Sequence, residues 1–298
     1  MNKPSIFLLG VQKCGTTAVA KLLGEHVELF VPSVKETYFF VDESYFPKGE
    51  SWYLDEFYSK NSVGNARLLC DATPFYLCSE EALKRIASFT DDTARFVVCL
   101  RNPVNRAYSA YWHQRRLGNE DVNFEDALKL ETIRISDAKA KGERWWRHAY
   151  TQVGFYAEHL ERAFSILGRE RFLVLNENDL AEAKAVKSRL HDFLGLKNDF
   201  EIDQVSRANK SVMPRSRLLQ RFVVGKNPLK KLIRTFVPRE IRSAIGQKIL
   251  RSNLKQFSYP PMDNSTRELL NGIFADDLAR LGRLGVDVPK SWLETRRL

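Results

Sequence analysis

Cysteine is scarce, with four in 298 residues: Cys14, Cys70, Cys78 and Cys99. They form no CxxC pair and no zinc-like spacing. Cys14 falls in a glycine-containing loop and Cys99 in an apolar strand, so a disulfide framework is not expected and the thiols read as reduced and mostly buried. Long apolar runs are missing as well, since no stretch reaches the roughly 18 residues of a membrane span. Met1 to Ser5 lead into only a short apolar or small run, Ile6 to Gly10. That run is too brief for the core of a secretory signal, and the expectation is a cytoplasmic chain. Internal repeats and low-complexity linkers are also absent, which excludes solenoids and flexible tethers.

What is present suits one large α/β domain over residues 1–298, with 44% of them hydrophobic. Ser5-Ile-Phe-Leu-Leu-Gly10 is a continuous apolar run of the kind a buried parallel strand shows, followed by a glycine loop and helical spacing from Thr16 to Leu23. Arg95-Phe-Val-Val-Cys-Leu100 repeats the pattern and ends at Arg101-Asn102-Pro103, with Asn105 placed to cap a helix running to about Arg116. Phe172 to Leu175 is a third strand between helical stretches Tyr150–Leu167 and Leu180–Leu194, and Asn264 to Leu284 reads as a last helix. The alternation predicts a P-loop-like fold, a central parallel sheet with helices on both faces.

The formal charge of +10 is unevenly placed. Ser206 to Lys255 hold fourteen Lys or Arg against one acid, Glu240, so the rest of the chain is slightly acidic. Turns at Pro214, Pro228, Pro238 and Pro260-Pro261 break this region into short pieces, which reads as a basic appendage or lid within the domain. Such a field suggests an anionic ligand, polymer or membrane surface near one face, and does not by itself indicate nucleic acid. Apolar residues interleave with the cations, so peripheral contact with an anionic membrane is one reading. The other is an apolar face packed on the core with the cations in water.

Gly10-Val-Gln-Lys-Cys-Gly15-Thr16-Thr17 nearly fits the nucleotide P-loop, G-x-x-x-x-G-K-[ST]. Thr16 occupies the lysine position and the lysine, Lys13, comes three residues earlier. A backbone N–H cradle at a helix start survives that change. The lysine that reaches β- and γ-phosphates does not, and no strand is expected to end in the aspartate that usually helps hold Mg²⁺. A second anion site is offered by Arg101, whose planar fork suits a terminal phosphate, and by Ser109 about two turns into the next helix.

These two motifs, in this order, resemble the PAPS-dependent sulfotransferases, especially their bacterial and heparan-sulfate branch. Lys35-Glu-Thr-Tyr-Phe-Phe40, Thr73-Pro-Phe-Tyr76, Asn178-Asp-Leu180 and Asp287-Val-Pro-Lys-Ser-Trp292 are similar to segments of that family too. The resemblance implies 3′-phosphoadenosine-5′-phosphosulfate (PAPS) as donor, adenosine 3′,5′-bisphosphate as product and no metal. It implies that Lys13, Cys14, Gly15, Thr16 and Thr17 hold the 5′-phosphosulfate, with Lys13 at the leaving oxygen, and that Arg101 and Ser109 hold the 3′-phosphate. Lys210 and Arg215 fall where the family closes a loop over the nucleotide. Glu36 is the implied base; His26 and His113, both on predicted helices, are its rivals. Partial burial before Phe39-Phe40 is the device that would bring a glutamate toward neutrality.

Two departures stand out: Tyr38 where the heparan branch often has histidine, and Ala72 where it often has lysine. They argue against a glycosaminoglycan acceptor and leave other carbohydrates, lipids and small alcohols open, with hydroxyl or amine as the accepting group. The competing functions are a P-loop kinase of small-molecule or nucleotide type and a polyanion- or membrane-binding protein on an inactive scaffold.

Overall fold

Five short strands pair in parallel in a computed structural model that describes residues 3–200, 212–214 and 254–293. They are β1 (Ile6–Gly10), β2 (Leu29–Phe30), β3 (Leu68–Asp71), β4 (Arg95–Cys99) and β5 (Phe172–Leu175), in the order β2-β3-β1-β4-β5. Phe7 pairs with Asp71 on one side and Phe96 on the other, and Val98 pairs with Val174. Parallel neighbours need crossovers, which are helical here, and a sheet covered on both faces needs strands apolar on both. β1 is buried at all five positions and β4 at all but Arg95. Full burial of Phe7, Phe40 and Phe96 contributes about 1.5–3 kcal/mol each.

After β1 comes α1 (Thr16–Gly24); α2 (Gly49–Phe57) and α3 (Lys60–Val63) precede β3, and α4 (Glu80–Phe89) precedes β4. The chain then makes a long excursion through α5 (Pro103–Leu117), α6 (Phe124–Lys129), α7 (Glu131–Ala140) and α8 (Tyr156–Leu167) before β5. Past β5 lie α9 (Glu177–Ala181), α10 (Ala183–Leu194), α11 (Asn264–Arg283) and α12 (Lys290–Leu293). Two further strands, β6 (Val212–Pro214) and β7 (Leu254–Gln256), pair antiparallel, with β6 beside α5. They sit within the basic region, whose other residues, Lys210 and Arg215 included, lie outside the described ones.

Local chemistry moved several boundaries. Asn102, not Asn105, caps α5: its Oδ1 accepts from the Asn105 N–H at 3.1 Å, and Pro103 takes the first helical position, where no N–H is required. The stretch expected to be helical from Tyr150 becomes α-helix only at Tyr156, after a tight turn over Gln152–Gly154. Glu182 divides the Leu180–Leu194 stretch into α9 and α10. One expectation was wrong in a way that matters for function. A strand does end in aspartate, β3 at Asp71, next to β1. Its four residues, two of them leucine, were too short a run to mark a strand.

Candidate active site

The carboxyl ends of β1 and β4 open into a cleft of about 570 Å³, lined by both halves of the anion machinery expected from the sequence. On the β1 side, Gly15 is the N-cap of α1 at φ 90°, the left-handed region, and provides no capping side chain. A Cβ there would stand 2.7 Å from Leu180 Cδ1, so glycine also lets α9 pack close. The first N–H groups of α1 therefore have no side-chain cap, and Thr16 and Thr17 join the cleft wall. Lys13 reaches the cleft from a residue at φ 72°. Burial, with Arg116 and Arg101 nearby, pulls its ammonium down to about pH 8. Among the described residues that ammonium has no hydrogen-bond or ion-pair partner.

On the β4 side, α5 presents Asn105, Ser109, His113 and Arg116 along one face of the helix. Arg101 lies just before the helix, its Nε 3.5 Å from Glu177 Oε2. Glu177 Oε1 accepts from Trp292 Nε1 at 2.7 Å and from the Asn102 N–H at 3.2 Å. Asn176 caps α9 in a reciprocal box with Asp179 and donates through Nδ2 to Asp287 at 2.9 Å. These contacts explain why segments distant in sequence belong together: Asn178-Asp-Leu180 and Asp287 to Trp292 brace the arginine and the glycine loop.

Glu36 enters from the loop after β2. Lys35 Nζ bridges it to the start of α1, lying 3.0 Å from Thr17 Oγ1 and 3.5 Å from Glu36 Oε1. The Tyr38 hydroxyl donates to Glu36 Oε2. Tyr38 itself packs beside Trp146 and Phe75, with the Arg144 guanidinium 4.3 Å from its ring centre. Burial and the adjacent Glu36 carboxylate hold the phenol well above its usual range, so it remains a donor. Glu36 (φ 69°), Tyr38 (φ 56°) and Lys13 are the non-glycine residues with left-handed backbone among those described. Each such residue costs on the order of 1 kcal/mol and persists where the surroundings enforce it.

Asp71 does the enforcing for the Glu36 loop. Its carboxylate accepts from Thr37 Oγ1 at 2.6 Å, Thr73 Oγ1 at 2.7 Å, Tyr53 Oη at 2.7 Å and Tyr76 Oη at 3.1 Å. Phe39 and Phe40 then bury next to Tyr53. Burial pushes the Asp71 carboxyl above the usual carboxylate range, and the four hydroxyl donors pull the other way. An aspartate so surrounded by hydroxyls serves loop Lys35–Phe40, not a cation at the glycine loop.

The histidines separate cleanly. His26 lies beyond the end of α1 rather than on it, outside the cleft, with Nε2 2.8 Å from Asn198 O and Nδ1 accepting from the Glu28 N–H. His113 is on α5 and lines the cleft, but its Nδ1 takes an N–H from Arg116 at 3.0 Å. Burial and the neighbouring Lys13 and Arg116 push it down to about pH 3, so it is a neutral ring whose Nε2 carries the proton. Cys14 points into the core, 3.6 Å from Tyr156 Oη, with its thiol pushed up to about pH 11 by burial. Only its backbone belongs to the phosphate loop. Sequence reasoning missed Asn105, Tyr108, Arg116 and Tyr259 in the cleft wall. Positions four, eight and eleven beyond Asn105 share its helix face, which was the available signal for Arg116; for Tyr259 there was none.

Comparison with known proteins gives this cleft its setting. The family described as Sulfotransferase domain matches residues 3–221. The chain belongs to the sulfotransferase family. A mouse relative, bifunctional heparan sulfate N-deacetylase/N-sulfotransferase 4, is 27% identical over 305 aligned residues, taking in 97% of this chain and 31% of the relative. Human heparan sulfate glucosamine 3-O-sulfotransferase 3B1 is 32% identical over 198 residues, 65% of this chain and 46% of the relative. The sulfotransferase chain thus spans less than half the length of either relative. A crystal structure of a sulfotransferase from Alicyclobacillus acidocaldarius superimposes with a TM-score of 0.67 at 23% identity, over 99% of this chain and 100% of that one. That likeness speaks to the fold, a parallel sheet flanked by helices.

Proposed function

We propose that this sulfotransferase moves a sulfuryl group from PAPS to an acceptor hydroxyl or amine, with Glu36 as general base and Lys13 at the leaving oxygen. The observation that carries the reading is the half-buried Lys13 ammonium, which has no hydrogen-bond or ion-pair partner among the described residues, shares its cleft with Arg101 and Arg116, and lies beside an uncapped helix start. A half-buried cation facing other cations is held at a cost that a bound anion relieves. The uncapped N–H groups of Thr16 and Thr17 suit a 5′-phosphate, and Arg101 with Ser109 suits a second phosphate on the ribose. The PAPS donor supplies an activated sulfur–oxygen bond. As it breaks, Lys13 neutralises the charge growing on the phosphate oxygen, the acceptor oxygen bonds to sulfur, and Glu36 takes the acceptor's proton. Tyr38 and Lys35 hold the two carboxylate oxygens of Glu36 in place for that transfer.

Carbohydrates, lipids and small alcohols all remain acceptors of suitable chemistry. The relatives named for heparan sulfate lend weight to a sugar, while Tyr38 and Ala72 weigh against a glycosaminoglycan. A P-loop kinase is disfavoured by two particulars: Thr16 in the lysine position and an Asp71 already enclosed by hydroxyls. Calorimetric titration tests the donor. Adenosine 3′,5′-bisphosphate should bind without metal, and Arg101→Ala should weaken it by about 1.5–3 kcal/mol. AMP should bind poorly and be nearly indifferent to that substitution. Equal affinity for the two nucleotides, or preference for ATP–Mg²⁺, would overturn the assignment.

A further inference from the structure

Arg116 is a cation of the cleft with no task in the reading above. The helix rises about 1.5 Å per residue, so Arg116, seven positions past Ser109, stands about 10 Å farther along α5 from the proposed ribose-phosphate grip. Both residues line the same cleft. Arg116 donates one N–H to His113 Nδ1 at 3.0 Å and, among the described residues, has no carboxylate partner. Because guanidinium can only donate, the imidazole proton must be on Nε2, which also has no partner among the described residues. Arg101 and Arg116 both line the cleft that holds Lys13, and the charge of each helps lower the Lys13 pKa. In the reading above Arg101 and Ser109 take the ribose phosphate, and Arg116 and His113 line the same cleft farther along α5.

We infer that Arg116 and Nε2 of His113 form an anion subsite for the acceptor, so that the hydroxyl or amine delivered to Glu36 belongs to a molecule carrying a nearby carboxylate or similar oxyanion. This rests on the sulfuryl-transfer reading of the cleft. A neutral acceptor covering Arg116 would strip water from a guanidinium whose protein partner is an uncharged ring, whereas a carboxylate would satisfy two of its free N–H groups in one planar contact. The subsite thereby sorts acceptors by charge rather than by the shape of their carbon skeleton.

The test uses the full chain saturated with adenosine 3′,5′-bisphosphate, titrated at low salt with 3-hydroxybenzoate and with 3-hydroxybenzyl alcohol. These probes share ring and phenol and differ in the charged group. The expected result is binding of the benzoate at least about tenfold tighter than the alcohol, the scale of one charge-assisted contact. Arg116→Gln should bring the two within about twofold while nucleotide affinity stays within about twofold, and Arg116→Lys should keep part of the preference. Equal binding of the probes, binding of neither, or a preference that survives Arg116→Gln overturns the subsite. So does a loss of nucleotide affinity in Arg116→Gln as large as in Arg101→Ala, which would assign Arg116 to the donor. Failure of the nucleotide to bind the native chain is a distinct outcome: it overturns the donor assignment, and the subsite falls with it.

Discussion

Asp71, fully buried, and Lys13, half-buried in the cleft, are ionisable side chains at the carboxyl ends of neighbouring strands, and their surroundings treat them in opposite ways. Asp71, at the end of β3, is met by four hydroxyls and has no water contact. Lys13, in the loop after β1, feels the charges of Arg116 and Arg101 and has no acid partner among the described residues. The first arrangement is complete without a ligand and fixes the backbone that presents Glu36. The second, on the proposed reading, is completed by the donor's phosphates, which would relieve its unfavourable electrostatics. A structural charge and a functional charge are distinguished here by whether the protein supplies the partner.

The largest effect should come from the residue that joins the two regions. Glu36→Gln keeps size and removes the ability to take a proton, so transfer should fall at least about a hundredfold. Nucleotide affinity should scarcely change, because no donor contact is lost. Turnover within a few-fold of the native rate would remove Glu36 from the role. His113 would be a poor replacement, since its Nδ1 is already occupied by Arg116.

Asp71→Asn should break the other side of the comparison. It presents an amide N–H₂ to hydroxyls that had been donating to a carboxylate, leaving buried O–H groups without an acceptor. Unfolding in urea should show a loss of about 2–4 kcal/mol, the range for a disrupted buried polar network. If stability is unchanged, the hydroxyl cluster is not what holds the Lys35–Phe40 loop.

Much of this was legible in the residues themselves. β1, β4 and β5 announced themselves as apolar runs, and the two anion motifs followed β1 and β4 because strand ends and helix starts are where loops must face a cleft. What stayed hidden was made by pairing rather than by pattern. β2 has two residues, too few for any period to show, and β3 was recognisable only through its partners β1 and β2. Asp71 therefore gave no signal in the sequence. Glu177 and Trp292, separated by 115 positions, meet behind Arg101 through tertiary contact alone. The basic stretch Ser206–Lys255 stands apart: its charge is plain in the sequence, but beyond β6 and β7 it lies outside the described residues.

The smallest predicted effect sharpens the Lys13 side most directly. Burial lowers its folded pKa from 10.5 to about 8, so the cation is disfavoured in the nucleotide-free protein. The sign follows from linkage: this group's destabilising contribution is fully present below about pH 8 and is relieved as pH rises from 8 toward 10.5, where the unfolded chain still holds the proton. An anion seated against Lys13 reverses the balance and raises its pKa again. Adenosine 3′,5′-bisphosphate should therefore bind with net uptake of a fraction of a proton, about half or more between pH 8 and 9, and little from this group near pH 6.5. Calorimetry in two buffers of different ionisation enthalpy reads that uptake directly. Lys13→Met should abolish the pH 8–9 component and, by removing a half-buried charge that the described residues leave without a partner, should stabilise the nucleotide-free protein by about 1 kcal/mol even as transfer is lost. Uptake that persists unchanged in Lys13→Met would mean that another group takes the proton and that Lys13 does not meet the bound phosphate.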